Sequence, residues 1–316
     1  MPPIPDILSV RPTDELFLEV RVSIPHRRRP RRPQTPLSRL TLKVALLATP
    51  VLLISAVTVS CSQEDDGYRA APAAPAGRAS GPGLDNPVKK DIAMRLVSSA
   101  ENSSLDWEAQ YSYIEDIGDG RGYTAGVAGF CSGTGDMLDL VELYTERKPG
   151  NALARYLPAL RKVDGSDSHR GLDPNYPRDW RKAAGDEEFR EAQNDERDRV
   201  YFNPAVQRGK SDGLGVLGQF IYFDALVMHG DGDDSASFSS MRRKALAKAK
   251  SPAQGGSEKT YLNAFLDSRV WAMKQEAAHE DTSRVDTAQR VFVRQGNFAL
   301  NTPLSWKVYG DSYHLD

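Results

Sequence analysis

The chain has 316 residues, 40% hydrophobic and 27% charged, which is the composition of a soluble globular protein able to bury a sizeable core. Its net charge of −2 hides an asymmetry: residues 1–61 hold 9 Lys and Arg against 4 Asp and Glu, and the remainder holds 32 against 39, a net of −7. An acidic body excludes nucleic acid as the expected partner and suits a cationic ligand, although mild acidity also serves solubility alone.

The first 61 residues read as a targeting segment. The basic run His26-Arg-Arg-Arg-Pro-Arg-Arg32 precedes an apolar stretch from Val44 to Val59 that Pro50 interrupts. That stretch is shorter than the roughly 20 residues a membrane-spanning helix needs. It ends in Thr58-Val-Ser-Cys61, which fits either ordinary signal cleavage and secretion or lipid attachment at Cys61. Residues 62–84, rich in Ala, Pro, Gly and Ser, read as a disordered linker. A globular part is expected over 85–316.

That part opens with Asn86 as a helix cap and Pro87 at the first helical position. Val88, Ile92, Leu96 and Val97 follow at helical spacing. Gly118 to Gly133 reads as a glycine-rich turn with short strands. A helix capped by Thr134 is expected to run to Tyr144, and a short one over 152–160 is interrupted by Pro158. A charged helix over 186–199 follows, then a long one from Pro204 to His229. Helices over 238–250, 260–278 and 284–293 complete the pattern, and the tail reads as irregular. The sum is a mainly α protein with a small β element.

Two carboxylates stand out. Glu101 lies one turn beyond Val97 on about the same face, where apolar neighbours favour the protonated form of a carboxyl group. Asp119 sits among Gly118, Gly120 and Gly122, where the backbone can approach a ligand closely. Two carboxylates in different surroundings can divide acid and base work, which is the equipment for cleaving a glycosidic bond. Taken singly, Glu101 also reads as a solvated residue at a helix end and Asp119 as a turn former. Thr124 can orient a water through its hydroxyl, and Arg121 adds positive charge nearby. Two cysteines, Cys61 and Cys131, are too few for a disulfide framework or a Cys-based zinc site. Cys131 reads as a small buried apolar residue. The five histidines are scattered, no G-x-S-x-G, H-E-x-x-H or phosphate-loop motif occurs, and the aspartates near 116 and 231 lack EF-hand spacing. No metal or cofactor is expected.

Glu101-Asn-Ser-Ser-Leu-Asp-Trp107 and Tyr113-Ile-Glu-Asp-Ile-Gly-Asp-Gly-Arg-Gly-Tyr-Thr124 resemble the signature of family 46 glycoside hydrolases, the actinobacterial chitosanases. So do Phe130-Cys-Ser-Gly-Thr-Gly-Asp136, Ala192-Gln-Asn-Asp-Glu-Arg-Asp-Arg-Val-Tyr201 and Asp281-Thr-Ser-Arg-Val-Asp286. The resemblance spans roughly 83–316. It implies a lysozyme-like fold of two mainly helical lobes with a cleft between them and a small antiparallel sheet on one. It implies an inverting endo-hydrolase of β-1,4-linked glucosamine polymers, with chitosan as the partner and a monomer as the working unit. Glu101 then matches the general acid, Asp119 the general base and Thr124 the water-positioning threonine. Arg284, Asp224 and Arg269 match a buried charged network, with Glu276 close to it; Arg284 is expected near Asp119. Asp136 matches an amine-binding carboxylate, and Ser103, Tyr113, Arg121, Tyr201, His229 and Glu280 match cleft positions. Two other readings stay open: a lysozyme-like or chitin-directed hydrolase, and a non-catalytic surface polysaccharide binder tethered through Cys61.

Overall fold

The computed structural model describes residues 83–275 and 281–316. The expected targeting segment with Cys61, nearly all of the linker, Glu276 and Glu280 lie outside the described residues.

Helix α1 spans Pro87–Glu101, and the Asn86 side chain accepts from the backbone N–H groups of Val88 and Lys89. Its face of Ile92, Ala93, Met94, Leu96 and Ala100 is buried. A 3₁₀ turn leads to three short strands, β1 (Ile114–Asp116), β2 (Tyr123–Ala125) and β3 (Phe130–Cys131). They form one antiparallel sheet in the order β1-β2-β3, with Glu115 opposite Thr124 and Thr124 opposite Cys131. Helices α2 (Asp136–Arg147), α3 (Leu157–Val163), α4 (Tyr176–Ala183) and α5 (Glu187–Arg197) follow. A π-helical turn over Asp198–Phe202 joins α5 to α6 (Asn203–Ser211). The rest is α7 (Val216–His229), α8 (Phe238–Lys248), α9 (Glu258–Lys274), a π-helical segment over Arg284–Gln289, α10 (Arg290–Gln295) and a hairpin of β4 (Leu304–Val308) with β5 (Asp311–Leu315).

Two apolar cores result. One gathers the sheet and α2–α5 around Tyr156, Tyr176, Trp180 and Phe189. The other gathers α1, α6–α10 and the C-terminal hairpin around Phe220, Phe223, Phe265 and Phe292. The continuous run from α5 through the π turn to α6 passes between them, with Phe189 and Ala192 in the first core and Phe202 and Ala205 in the second.

Several boundaries differ from expectation. Thr134 does not cap α2: Gly135 occupies the cap in a left-handed conformation, and the Thr134 hydroxyl donates to Asp136 Oδ1 at 2.6 Å. Pro158 lies in the first turn of α3 rather than interrupting a helix, as its missing N–H allows. The long helix expected from Pro204 to His229 is two helices, parted at Asp212–Gly215 where Gly213 takes φ +76°. The charged helix after Asp186 ends in the π turn, and α4 was not foreseen. The tail is not irregular: its β4 strand shows alternate burial of Leu304, Trp306 and Val308.

Candidate active site

Glu101 is the last residue of α1 and belongs to the larger lobe. Arg284 Nη1 donates to its Oε1 at 2.5 Å. Arg284 also reaches Asp224 on α7, with Nη2 donating to Oδ1 at 2.6 Å. Arg269 on α9 donates from Nη1 to Asp224 Oδ2 at 2.6 Å. The chain Glu101–Arg284–Asp224–Arg269 is therefore continuous, and its last three members are buried. Burial alone would raise the Asp224 pKa, but the two guanidiniums outweigh it and hold that carboxyl down at about 2.

The sequence did not reveal Gln289, which completes this cluster. Its Nε2 donates to Asp224 Oδ2 at 2.6 Å, and its Oε1 accepts from Arg269 at 3.1 Å. Arg284 and Gln289 are five residues apart, which the π-helical segment turns to one side. A search for the 3.6-residue period misses such a pair.

Asp119 lies in the β1–β2 loop of the other lobe, and its side chain is only 5% exposed. Oδ1 accepts the Arg121 backbone N–H at 3.1 Å, and Oδ2 accepts Nε at 2.8 Å and Nη2 at 2.6 Å from the Arg121 guanidinium. The expectation that Arg284 stands beside Asp119 is not met. Arg284 belongs to the core that carries α1, so it meets Glu101, and Asp119 takes its cation from its own loop. Burial works against the charged form of Arg121, but Asp119, Cys131 and Asp136 around it more than compensate.

The loop is held from behind by the Gly133 N–H, which donates to Arg121 O at 2.9 Å. The Gly165 N–H donates to Gly133 O at 3.0 Å, and a Cβ on Gly133 would stand 2.0 Å from Ser166 O. Only glycine permits that approach. His169 stacks on Tyr123 with ring centroids 4.0 Å apart, and its Nε2 lies 3.1 Å from Asp116 Oδ2.

Thr124, on β2, is buried, and its hydroxyl is 3.4 Å from Cys131 Sγ. The Cys131 thiol donates its single hydrogen to Gly129 O at 3.2 Å. Thr124 must then be the donor to sulfur, which leaves its oxygen lone pairs as acceptors. Burial pushes the Cys131 thiol pKa up, which keeps it protonated and unreactive, as expected for a small buried residue.

Asp136 opens α2. Its Oδ1 accepts from the Cys131 N–H at 2.9 Å, the Thr134 hydroxyl at 2.6 Å and the Met137 N–H at 3.1 Å. These bonds all fall on Oδ1, so Oδ2 is the oxygen left to a ligand. Burial raises the Asp136 pKa against the pull of those donors. Ser103 follows α1 in a left-handed conformation at φ +52°, and Tyr113 precedes β1 with its hydroxyl 3.4 Å from Glu115 Oε2. Tyr201 lies in the π turn between the lobes, packed against the larger core, and His229 ends α7; both are half-buried. Two clusters thus emerge, one around Glu101 and one around Asp119, Arg121, Thr124 and Asp136.

A mainly helical body with two lobes and a small antiparallel sheet, offering a carboxylate from each lobe, is the lysozyme-like arrangement of a glycoside hydrolase. Residues 95–304 match Glycosyl hydrolase family 46, and the chain belongs to that family. It is 62% identical over 279 residues to the chitosanase of Streptomyces sp. (strain N174), covering 88% of this chain and 97% of that one. It is 61% identical over 283 residues to the chitosanase of Nocardioides sp. (strain N106), covering 89% and 98%. Among solved structures, the co-crystal structure of chitosanase OU01 with substrate aligns with a TM-score of 0.70 at 58% identity, covering 74% of this chain and 99% of that one.

Proposed function

We infer that this protein is an endo-chitosanase that cuts β-1,4 linkages between glucosamine units with inversion at the anomeric carbon. The observation that carries the reading is the pair of carboxylates with separate cations, Glu101 on Arg284 and Asp119 on Arg121, each mounted on its own lobe. Family membership and the 62% identical relative support the same activity.

Glu101 serves as general acid. Its Oε1 accepts from Arg284, so the proton for the departing glycosidic oxygen is carried on Oε2. Asp119 serves as general base, oriented by the Arg121 fork. It takes one proton of a water, and the acceptor lone pairs of Thr124 take the other hydrogen, so the water's own lone pair faces the anomeric carbon. Inversion requires that water to sit between base and sugar, with the carboxyl groups about 6.5–9.5 Å apart. Asp136 Oδ2 accepts from the ammonium of a bound glucosamine. Export of the chain, which a polymer substrate outside the cell would require, and action as a monomer belong to the same reading.

The test is proton NMR of the fresh anomers formed from glucosamine hexamer. Wild-type protein is expected to release the inverted anomer first. Glu101→Gln and Asp119→Asn are each expected to lose at least 10²-fold in kcat with native circular dichroism, in line with general acid–base contributions. Near-wild-type turnover in either variant would end this assignment. Preference for heavily acetylated polymer would favour the chitin-directed reading, and tight binding without product would favour the non-catalytic one.

A further inference from the structure

The C-terminal hairpin lies almost wholly beyond the residues matched by the family, which end at 304. It is nevertheless bonded to α1, which carries Glu101, and to the π-helical segment, which carries Arg284. Trp306 Nε1 donates to Ser99 Oγ at 3.0 Å in the last turns of α1, two residues before Glu101. The Thr287 hydroxyl, within the π-helical segment, donates to Lys307 O at 2.7 Å. The Tyr309 backbone N–H donates to Ser283 Oγ at 2.8 Å, next to Arg284. Tyr313, on the returning strand, interacts through its hydroxyl with the Ser103 side chain, just past Glu101. Trp306 and Val308 wall a void of about 10 Å³ whose other lining includes Ala100, Asp224 and Arg284.

The tip of the hairpin is the telling feature. Val308 pairs with Asp311, so Tyr309 and Gly310 form a two-residue loop. Both take positive φ, +53° and +92°. Such a turn favours Asn-Gly or Gly-Gly, and tyrosine is a costly choice for its first position. A residue held against its backbone preference points to a role for its side chain. Here that side chain is packed against the larger core, and it feels the charges of Arg284, Glu101 and Asp224 together.

We propose that Tyr309 is a positioning residue for the general acid, holding Arg284 against Glu101 from the tip of a hairpin that clamps the end of α1. The side chain touches neither sugar nor water in this role; it fixes where the Glu101 carboxyl points. The proposal rests on Glu101 being the acid. A displacement of that carboxyl by about 1 Å costs on the order of 10²-fold in rate.

The deciding variant is Tyr309→Asn, because asparagine suits the left-handed turn and removes the ring. Its fold is expected to persist at the assay temperature, the relief of the turn offsetting part of the packing lost with the ring. Its kcat on glucosamine hexamer is expected to fall about 10- to 100-fold with KM within twofold, the signature of lost alignment rather than lost binding. A fall of fivefold or more supports the proposal, and a smaller one overturns it. Should Tyr309→Asn melt below the assay temperature, Tyr309→Gly, which also suits the left-handed turn and lacks the ring, is assayed below its own melting point and judged by the same fivefold limit. Wild type and Glu101→Gln are assayed alongside. A wild type that leaves the hexamer intact, or a Glu101→Gln that cleaves it normally, counts against the assignment of the acid; a normal Tyr309 variant beside a dead Glu101→Gln counts against the hairpin alone.

Discussion

At the scale of single residues, Asp136 shows how a buried environment sets a working range. Its carboxyl is raised by burial, so on acidification it takes up a proton before an ordinary surface aspartate does. Only the ionised form accepts an ammonium as a full ion pair. KM for glucosamine oligomers should therefore start to climb at a higher pH than an ordinary surface aspartate would impose, while kcat holds. In Asp136→Asn, KM should be raised about 10- to 100-fold in neutral buffer, as expected for losing a charged hydrogen bond worth about 1.5–3 kcal/mol, and should lose that climb. Initial rates across a pH series check this; parallel KM curves for the two proteins would count against it. Glu101 and Asp119 were legible in the sequence as carboxylates at a helix end and in a glycine-rich turn. Their cations were not both legible. Arg121 stands two positions from Asp119, whereas Arg284 is 183 residues from Glu101 and its choice of partner depends on which core it joins.

At the scale of elements, the Asp224 cluster ties α7, α9 and the π-helical segment to the end of α1. Asp224→Asn leaves two buried guanidiniums without their shared carboxylate. Removing one partner from such a buried set costs about 3–5 kcal/mol, and chemical denaturation should show a midpoint lowered accordingly. The sign with pH follows from the depressed carboxyl. Asp224 contributes its full stabilisation above the unfolded pKa near 4, and that contribution fades as pH falls towards about 2. The wild-type and Asp224→Asn midpoints should thus converge in strong acid; a constant gap would contradict the ion-pair account. Elements were read well where apolar spacing and caps agreed, as at Asn86-Pro87 for α1. They were misread where a local conformation outside the helical repertoire intervened. Gly213 parts one expected helix into two, and the π-helical turns shift the phase of the residues they carry. The C-terminal hairpin was missed because its strands are five residues each and its turn is Tyr-Gly rather than Asn-Gly. The alternation of Leu304, Trp306 and Val308 was the available signal.

At the scale of the whole molecule, charge and architecture act together. Residues 62–316 carry a net of −7, and the polymer they act on is cationic when its amines are protonated. Raising salt from about 0.1 M to 1 M shortens the Debye length from about 10 Å to about 3 Å. KM for long chitosan should rise across that range while kcat is nearly constant, since the local ion pairs of Glu101 and Asp119 are buried or partly buried. Steady-state assays in graded sodium chloride measure this, and a salt-independent KM would remove the steering argument. The two-lobed plan itself was foreseen only through family resemblance; spacing alone gave a mainly helical protein with a little β structure.

Glu101 and Asp119 are carried by separately packed halves, joined by the segment after α1 and by the helical run from α5 to α6. A strand can be laid between such halves at any point along its length, with no terminus to be found and threaded. Scission in mid-strand halves a long molecule at a stroke, so a viscous solution thins while almost all of its sugar is still in fragments too large to be taken up.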